Sequence, residues 1–165
     1  MTRESTLSIR VCGIDDWERL RAIRLEALAD TPDAYGSTYE ESALWSDAQW
    51  KNAASTWLYY LAERDGRVVG MVSGGYNDAY PGTRWLYGMY VTPSERGTGT
   101  SAMLVRTVGE WARSHGASEV YLHVTTSVPR ARAFYEKLGF KPNGESHAMD
   151  RDHTLTLITM VLHLD

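Results

Sequence analysis

The chain reads as an α/β (α+β) fold: a mixed, mostly antiparallel central sheet flanked by helices. Three observations predict it. Two β-rich runs face each other across Asp65-Gly66, a two-residue hairpin turn. A β-rich run ending at Val91 leads into an amphipathic segment and then into the continuous apolar run 119–125, the pattern of a strand, a crossover helix and a parallel strand. Two further β-rich runs close the chain as a terminal hairpin, so antiparallel pairs lie on both sides of one crossover.

Each element follows from local signals. Leu7-Ser-Ile-Arg-Val11 alternates and makes a first strand, closed by Gly13. Asp15 or Asp16 caps a helix whose Trp17, Leu20, Ile23, Leu25 and Leu28 keep helical spacing until Asp30-Thr-Pro32 stops it. The stretch 32–39 is turn-rich, a short helical piece spans 40–45, and Ser46 caps another helix through Trp50 and Ala54. Residues 57–62 and 67–73 form the arms of the hairpin, and 74–82 is loop. The strand over 85–91 contains Gly88, and a glycine inside a strand marks a bulge or the close approach of a backbone or ligand. Over 99–115, Met103, Leu104, Val108 and Trp111 recur at helical spacing and Gly116 ends the segment. Pro129 suits the first turn of a helix carrying Ala131, Phe134, Tyr135 and Leu138, before Gly139. Residues 140–143 and 154–164 give the last two strands.

The 165 residues suffice for one domain spanning 1–165, with no repeat, linker or low-complexity tract. With 17 Lys+Arg against 21 Asp+Glu, the formal charge of -4 argues against a general nucleic-acid binder. The lone Cys12 has no partner for a disulfide or a thiolate zinc site; it reads as a small buried residue in a reducing compartment. No metal is expected. The N-terminal Met-Thr-Arg-Glu-Ser-Thr lacks the apolar core of a signal peptide, and no apolar run is long enough to span a bilayer, so a cytoplasmic protein without membrane contact is expected.

The chemistry concentrates in Tyr87-Gly-Met-Tyr-Val-Thr-Pro-Ser-Glu-Arg-Gly-Thr-Gly-Thr-Ser101. Small residues where a helix begins leave backbone N–H groups free for a phosphate or pyrophosphate. A nucleoside-triphosphate P-loop is excluded because no Lys follows the glycines. The dinucleotide fingerprint is formally met by Gly97, Gly99 and Ala102, with Glu119 downstream. It is the weaker case, because Thr-Pro-Ser-Glu-Arg separates the strand from the first glycine and Glu119 begins its strand rather than ending it.

The third reading is an acetyl-CoA signature, Arg/Gln-x-x-Gly-x-Gly/Ala. Arg96-Gly-Thr-Gly-Thr-Ser101 follows it in Arg, first Gly and spacing, and Ala133-Phe-Tyr-Glu-Lys-Leu-Gly-Phe140 supplies a second hallmark downstream. With both motifs in register, the chain resembles the GNAT superfamily of N-acetyltransferases over most of its length. That resemblance implies a GNAT-like sheet in which a strand bulged at or near Gly88 splays from its parallel neighbour. It also implies acetyl-CoA as co-substrate, a pyrophosphate cradle at Arg96, Gly97, Thr98, Gly99, Thr100 and Ser101, and main-chain bonds from Met89 and Val91 to the pantetheine arm. Tyr135 matches the general acid that protonates the departing thiolate. Ser101 stands where Gly or Ala is usual, and Val128 where the family often has Asn.

The acceptor is then a small-molecule amine or a peptide or protein amine, attacked directly on the thioester, and the resemblance is compatible with a homodimer. Tyr35, Tyr39, Glu40 and Trp45 follow the first helix, and aromatics with a carboxylate suit a cationic amine. Strand 85–91 carries no carboxylate, so the general base stays open among Glu40, Glu41, His123 and ordered water. A non-catalytic acyl-CoA-binding sensor is the alternative, motivated by Val128 and the missing carboxylate and opposed by Tyr135; a dinucleotide-binding domain ranks below it.

Overall fold

The computed structural model describes residues 5–165. Strand β1 (Leu7–Val11) runs into a 3-10 turn (Ile14–Asp16), helix α1 (Trp17–Asp30) and a second 3-10 turn (Pro32–Ala34). Helices α2 (Tyr39–Ala43) and α3 (Asp47–Thr56) precede β2 (Leu58–Arg64), β3 (Arg67–Gly75) and β4 (Arg84–Val91). A 3-10 turn (Pro93–Glu95) leads to α4 (Thr100–Ser114), β5 (Glu119–Thr125), α5 (Pro129–Lys137), β6 (Lys141–Met149) and β7 (Asp152–His163). Among the described residues the strands form one sheet in the order β1-β2-β3-β4-β5-β7-β6, in which only β4–β5 is parallel.

Most helix and turn signals act as expected, but Asp16, at the N-cap of α1, makes no side-chain cap bond to that helix, because its carboxylate is taken by the Gly13 N–H and the Arg10 guanidinium. Asp65 (φ 53°) and Gly66 (φ 77°) make the turn between β2 and β3. Ser46 caps α3 reciprocally: its Oγ accepts the Gln49 N–H at 3.2 Å and the Gln49 Oε1 accepts the Ser46 N–H at 2.8 Å. Helix α2 starts a residue before the expected 40–45 piece because the Thr38 hydroxyl caps it, accepting the Glu41 N–H at 3.2 Å. Arg10 bridges Asp16 and Glu63 at 2.6 and 2.8 Å, tying the outer strands to the entry of α1.

The last hairpin is longer than the pattern predicts. β6 continues past 143 to Met149 although Lys141 to Ala148 are all exposed. An edge strand wet on both faces has no alternating apolar signal, and Pro142 and a register shift before Ser146 suit an edge.

Two apolar layers cover the sheet. On one face α4 and α5 pack Leu104, Val108 and Tyr135, with Phe140 just past α5, against Val72, Leu86, Leu122 and Met160. On the other, α1 and α3 pack Leu20, Ile23, Leu28 and Ala54 against Leu61, Met71 and Tyr90. Cys12 belongs to this second layer, where burial pushes its thiol up to about 11. No helix among the described residues is long and apolar enough to cross a membrane.

Candidate functional site

The site begins with a one-residue misfit in the sheet. Met71 pairs with Tyr90, but Ser73 pairs with Tyr87, so β4 carries one residue more than β3 over this step. The excess sits at Gly88–Met89, and Gly88 takes a left-handed φ of 57° that a side chain would resist. The parallel pairing of β4 to β5 is confined to Arg84–Val120 and Trp85–Tyr121. Beyond Trp85 the two strands part, and the bulge lies on one side of the gap. Trp85 closes the paired end: it is fully buried, stacked on Tyr121 at 5.4 Å and edge-on to His123 at 4.6 Å.

The turn after β4 is built around a carboxylate that sequence reasoning passed over. Glu95 is buried and accepts from Arg64 at 2.8 and 3.2 Å, from the Thr98 hydroxyl at 3.1 Å and from the Thr100 hydroxyl at 2.8 Å. The Arg64 hydrogen bonds hold its carboxyl below the usual range against the opposing effect of burial. Glu95 thus fixes the loop from beneath and leaves its outer face bare. Gly97 (φ 79°) and Gly99 (φ 91°) need the left-handed region, and a Cβ on either would meet no heavy atom within 4 Å. Among the described residues the N–H groups of Gly97, Gly99, Thr100, Ser101 and Ala102 find no hydrogen-bond partner. An array of free N–H groups on an open surface at the start of a 15-residue helix fits a pyrophosphate. Arg96 is anchored beside it, to Asp30 at 2.6 Å.

Tyr135 stands on α5 among Phe134 and Phe140, 8% exposed. Burial holds its phenol well above the usual tyrosine range, and the nearby Tyr35 phenol adds to the effect. Among the described residues its hydroxyl makes no hydrogen bond. Val128, at the N-cap of α5, provides no side-chain cap, consistent with the absence of an Asn there.

On the opposite face the expected acceptor residues divide. Tyr35 is buried, and its hydroxyl donates to the Met89 carbonyl at 2.9 Å, bracing the bulge. The cation over its ring is Arg24, 5.3 Å from the centroid, and burial pushes its phenol up to about 12. Tyr35 is therefore a strut rather than an open wall. Tyr39 and Glu40 are exposed on α2, and Trp45 leans on Trp50 at 4.8 Å. Arg151, from the β6–β7 turn, donates to the Tyr35 carbonyl at 2.9 Å and the Pro32 carbonyl at 2.6 Å, tying the terminal hairpin to the loop after α1.

Between these loops lies a cleft of about 830 Å³ lined by Tyr80, His123, Glu145, His147, Asp150 and Arg151 among others. His123 reaches it from β5 two residues past the last parallel pair. Its Nε2 is buried without a partner, its ring meets His147 at 4.7 Å, and burial with His147 nearby pushes its pKa down to about 4. Of the candidate bases, His123 alone reaches the cleft; Glu40 and Glu41 are exposed on α2. Glu95, Arg24 and Arg151 were not singled out because their partners are distant in sequence; the hydroxyls at Thr98 and Thr100 were the one local hint of a buried acceptor.

The Acetyltransferase (GNAT) family model matches residues 18–140. N-acetyltransferase 8 from Homo sapiens is 38% identical over 92 residues, 53% of this chain and 40% of that protein. Mycothiol acetyltransferase from Thermobispora bispora is 32% identical over 129 residues, 76% of this chain and 43% of that protein. The chain thus spans less than half the length of these curated relatives. Among solved structures, an acetyltransferase of the GNAT family from Streptococcus pneumoniae superposes with a TM-score of 0.77 at 20% identity, covering 97% of this chain and all of that one. An acetyltransferase from Salmonella typhimurium, solved with its cofactor acetyl-CoA, gives 0.73 at 20% identity over 98% of this chain and 95% of its own. At such identities the structures carry the fold.

Proposed function

The chain belongs to the GNAT acetyltransferase family, and from that premise we propose that it moves the acetyl group of acetyl-CoA to a primary amine by direct attack. One observation carries the reading: the gap that opens between β4 and β5 at the Gly88 bulge, with free N–H groups at its outer end and the unpartnered Tyr135 phenol beside it. The turn from Arg96 to Ser101 holds the pyrophosphate through Gly97, Thr98, Gly99 and Thr100, and the main chain at Met89 and Val91 bonds the pantetheine arm. Backbone N–H on the bulged strand polarises the thioester carbonyl. The acceptor, a small molecule or a peptide or protein amine, enters from the cleft beside His123.

The neutral nitrogen attacks the carbonyl carbon; the C–N bond forms and the C–S bond breaks. Attack makes the nitrogen strongly acidic, so an imidazole of low basicity is sufficient, and the His123 ring, which lines the cleft, takes the proton. Tyr135 hydrogen-bonds the departing sulfur and passes its proton to it. The thiolate is desolvated in the same setting, which raises its proton affinity toward that of the phenol. Exchange with solvent then resets both side chains. The buried thiol of Cys12 supports direct transfer rather than a cysteine intermediate, and a cytoplasmic setting.

Tyr135→Phe tests the reading by thiol release over a panel of amines. Turnover falls by about 10²- to 10⁴-fold with acetyl-CoA affinity retained; unchanged turnover contradicts the assignment. A second reading, a non-catalytic acyl-CoA sensor, is favoured by the uncapped Val128 end of α5. Tight acetyl-CoA binding with no turnover of any amine selects it.

A further inference from the structure

Arg24 is half-buried on α1, and among the described residues its guanidinium has neither a hydrogen-bond nor an ion-pair partner. It lies at the bulge: its Nη1 would stand 3.2 Å from a Cβ built on Gly88, and its guanidinium carbon sits 5.3 Å from the centre of the Tyr35 ring. That ring is a rigid platform, fixed at its hydroxyl by Met89 and at its carbonyl by Arg151. Stacking holds one face of the guanidinium and leaves its edge, where the N–H donors point, free to bind.

A cation held half out of water with unused donors calls for an anion. The pyrophosphate is held farther along the chain, on the 96–101 turn that follows β4 and beside Arg96, whereas Arg24 stands at Gly88 inside the strand, where the thioester end of the pantetheine arm lies in the reading above. The anion must arrive with the acceptor, close to the attacking nitrogen. Resting on the acetyltransferase reading above, we infer that Arg24 binds a carboxylate of the acceptor, and that the acceptor is an α-amino acid with a free α-amine and α-carboxylate. A planar guanidinium matches a carboxylate in a two-point contact. A polyamine would set a second cation against Arg24, and a peptide N-terminus or a lysine side chain offers no acid at that position. Aromatics and carboxylates after α1 suggested a cationic acceptor, but the cation on Tyr35 is the protein's own.

The test measures thiol release from acetyl-CoA with L-amino acids, their α-carboxamides and spermidine. The expected kcat/KM ratio of acid to carboxamide is about 10 to 100. It collapses toward one in Arg24→Gln and is partly kept in Arg24→Lys. Calorimetric binding of N-acetyl-L-amino acids and their amides to the CoA-loaded protein must rank in the same way, and this readout needs no turnover. Carboxamides or spermidine used as well as the acids, or a ratio unmoved in Arg24→Gln, overturns the inference and leaves acetyl transfer standing. Acetyl-CoA binding with no turnover of any amine and no binding of the acetylated products overturns both.

Discussion

Gly88→Ala is the perturbation whose effect follows most directly from the geometry. An L residue held at φ 57° costs roughly 1–2 kcal/mol. The added methyl meets Arg24 Nη1 at 3.2 Å, the far end of a flexible side chain, so a shift of a few tenths of an ångström relieves the contact at little cost. The loss of stability is therefore set by the backbone, about 1–2 kcal/mol, which lowers Tm by about 2–8 °C in a domain of this size. If the bulge aims an N–H at the thioester carbonyl, relaxing it lowers kcat by about 10²-fold with KM for acetyl-CoA little changed. Gly97→Ala is the matched control, with a similar φ of 79° and no heavy atom within 4 Å of the new Cβ. Its backbone cost is the same, but its kinetic effect falls on KM for acetyl-CoA. Thermal unfolding and steady-state thiol release on both variants check the split. A Gly88→Ala protein with wild-type kcat, or two variants with the same kinetic defect, would refute the reasoning.

Glu95→Gln weakens the two Arg64 bonds and the hydroxyl pair that shape the loop, so KM for acetyl-CoA rises about 10-fold. Kinetics with S-acetylpantetheine, which has no pyrophosphate, stay as in wild type, and an equal defect with both donors would show that the loop is not the affected part. His123 gives a pH signature. Its folded pKa of about 4 lies below the usual 6.5, so the unfolded chain binds its proton first; stability is full above pH 6.5 and is lost as pH falls toward 4. The ring is only half-buried and solvent screening reduces the effect, so chemical denaturation at pH 7 and pH 4 should show His123→Gln losing less stability on acidification than the wild type.

The elements that were legible in the sequence are those with local causes. Asp65-Gly66 dictates its turn through two left-handed residues, and Ser46 with Gln49 fixes the start of α3. Gly88 was readable as a bulge because a glycine inside an apolar strand has few other uses, and the register shift confirms it. β6 was cut short because its exposed, polar residues carry no period. Most of the rest of the site depends on long-range pairs. Glu95 meets Arg64 across 31 positions and Arg151 meets Tyr35 across 116, and neither separation leaves a pattern in the chain. Tyr35 was recognisable as a cation-binding aromatic but not as one already engaged by Arg24. His123 became the leading base only once the cleft and its buried, unpartnered Nε2 were seen together.

The most direct test of the account is the crystal structure of the protein with acetyl-CoA bound. The account predicts pyrophosphate oxygens on the N–H groups of Gly97 to Ser101, the pantetheine arm in the gap between β4 and β5, and the sulfur within hydrogen-bond reach of the Tyr135 hydroxyl, about 3–3.5 Å or one bridging water away. Acetyl-CoA bound outside that gap, or a sulfur separated from Tyr135 by other side chains, would contradict it.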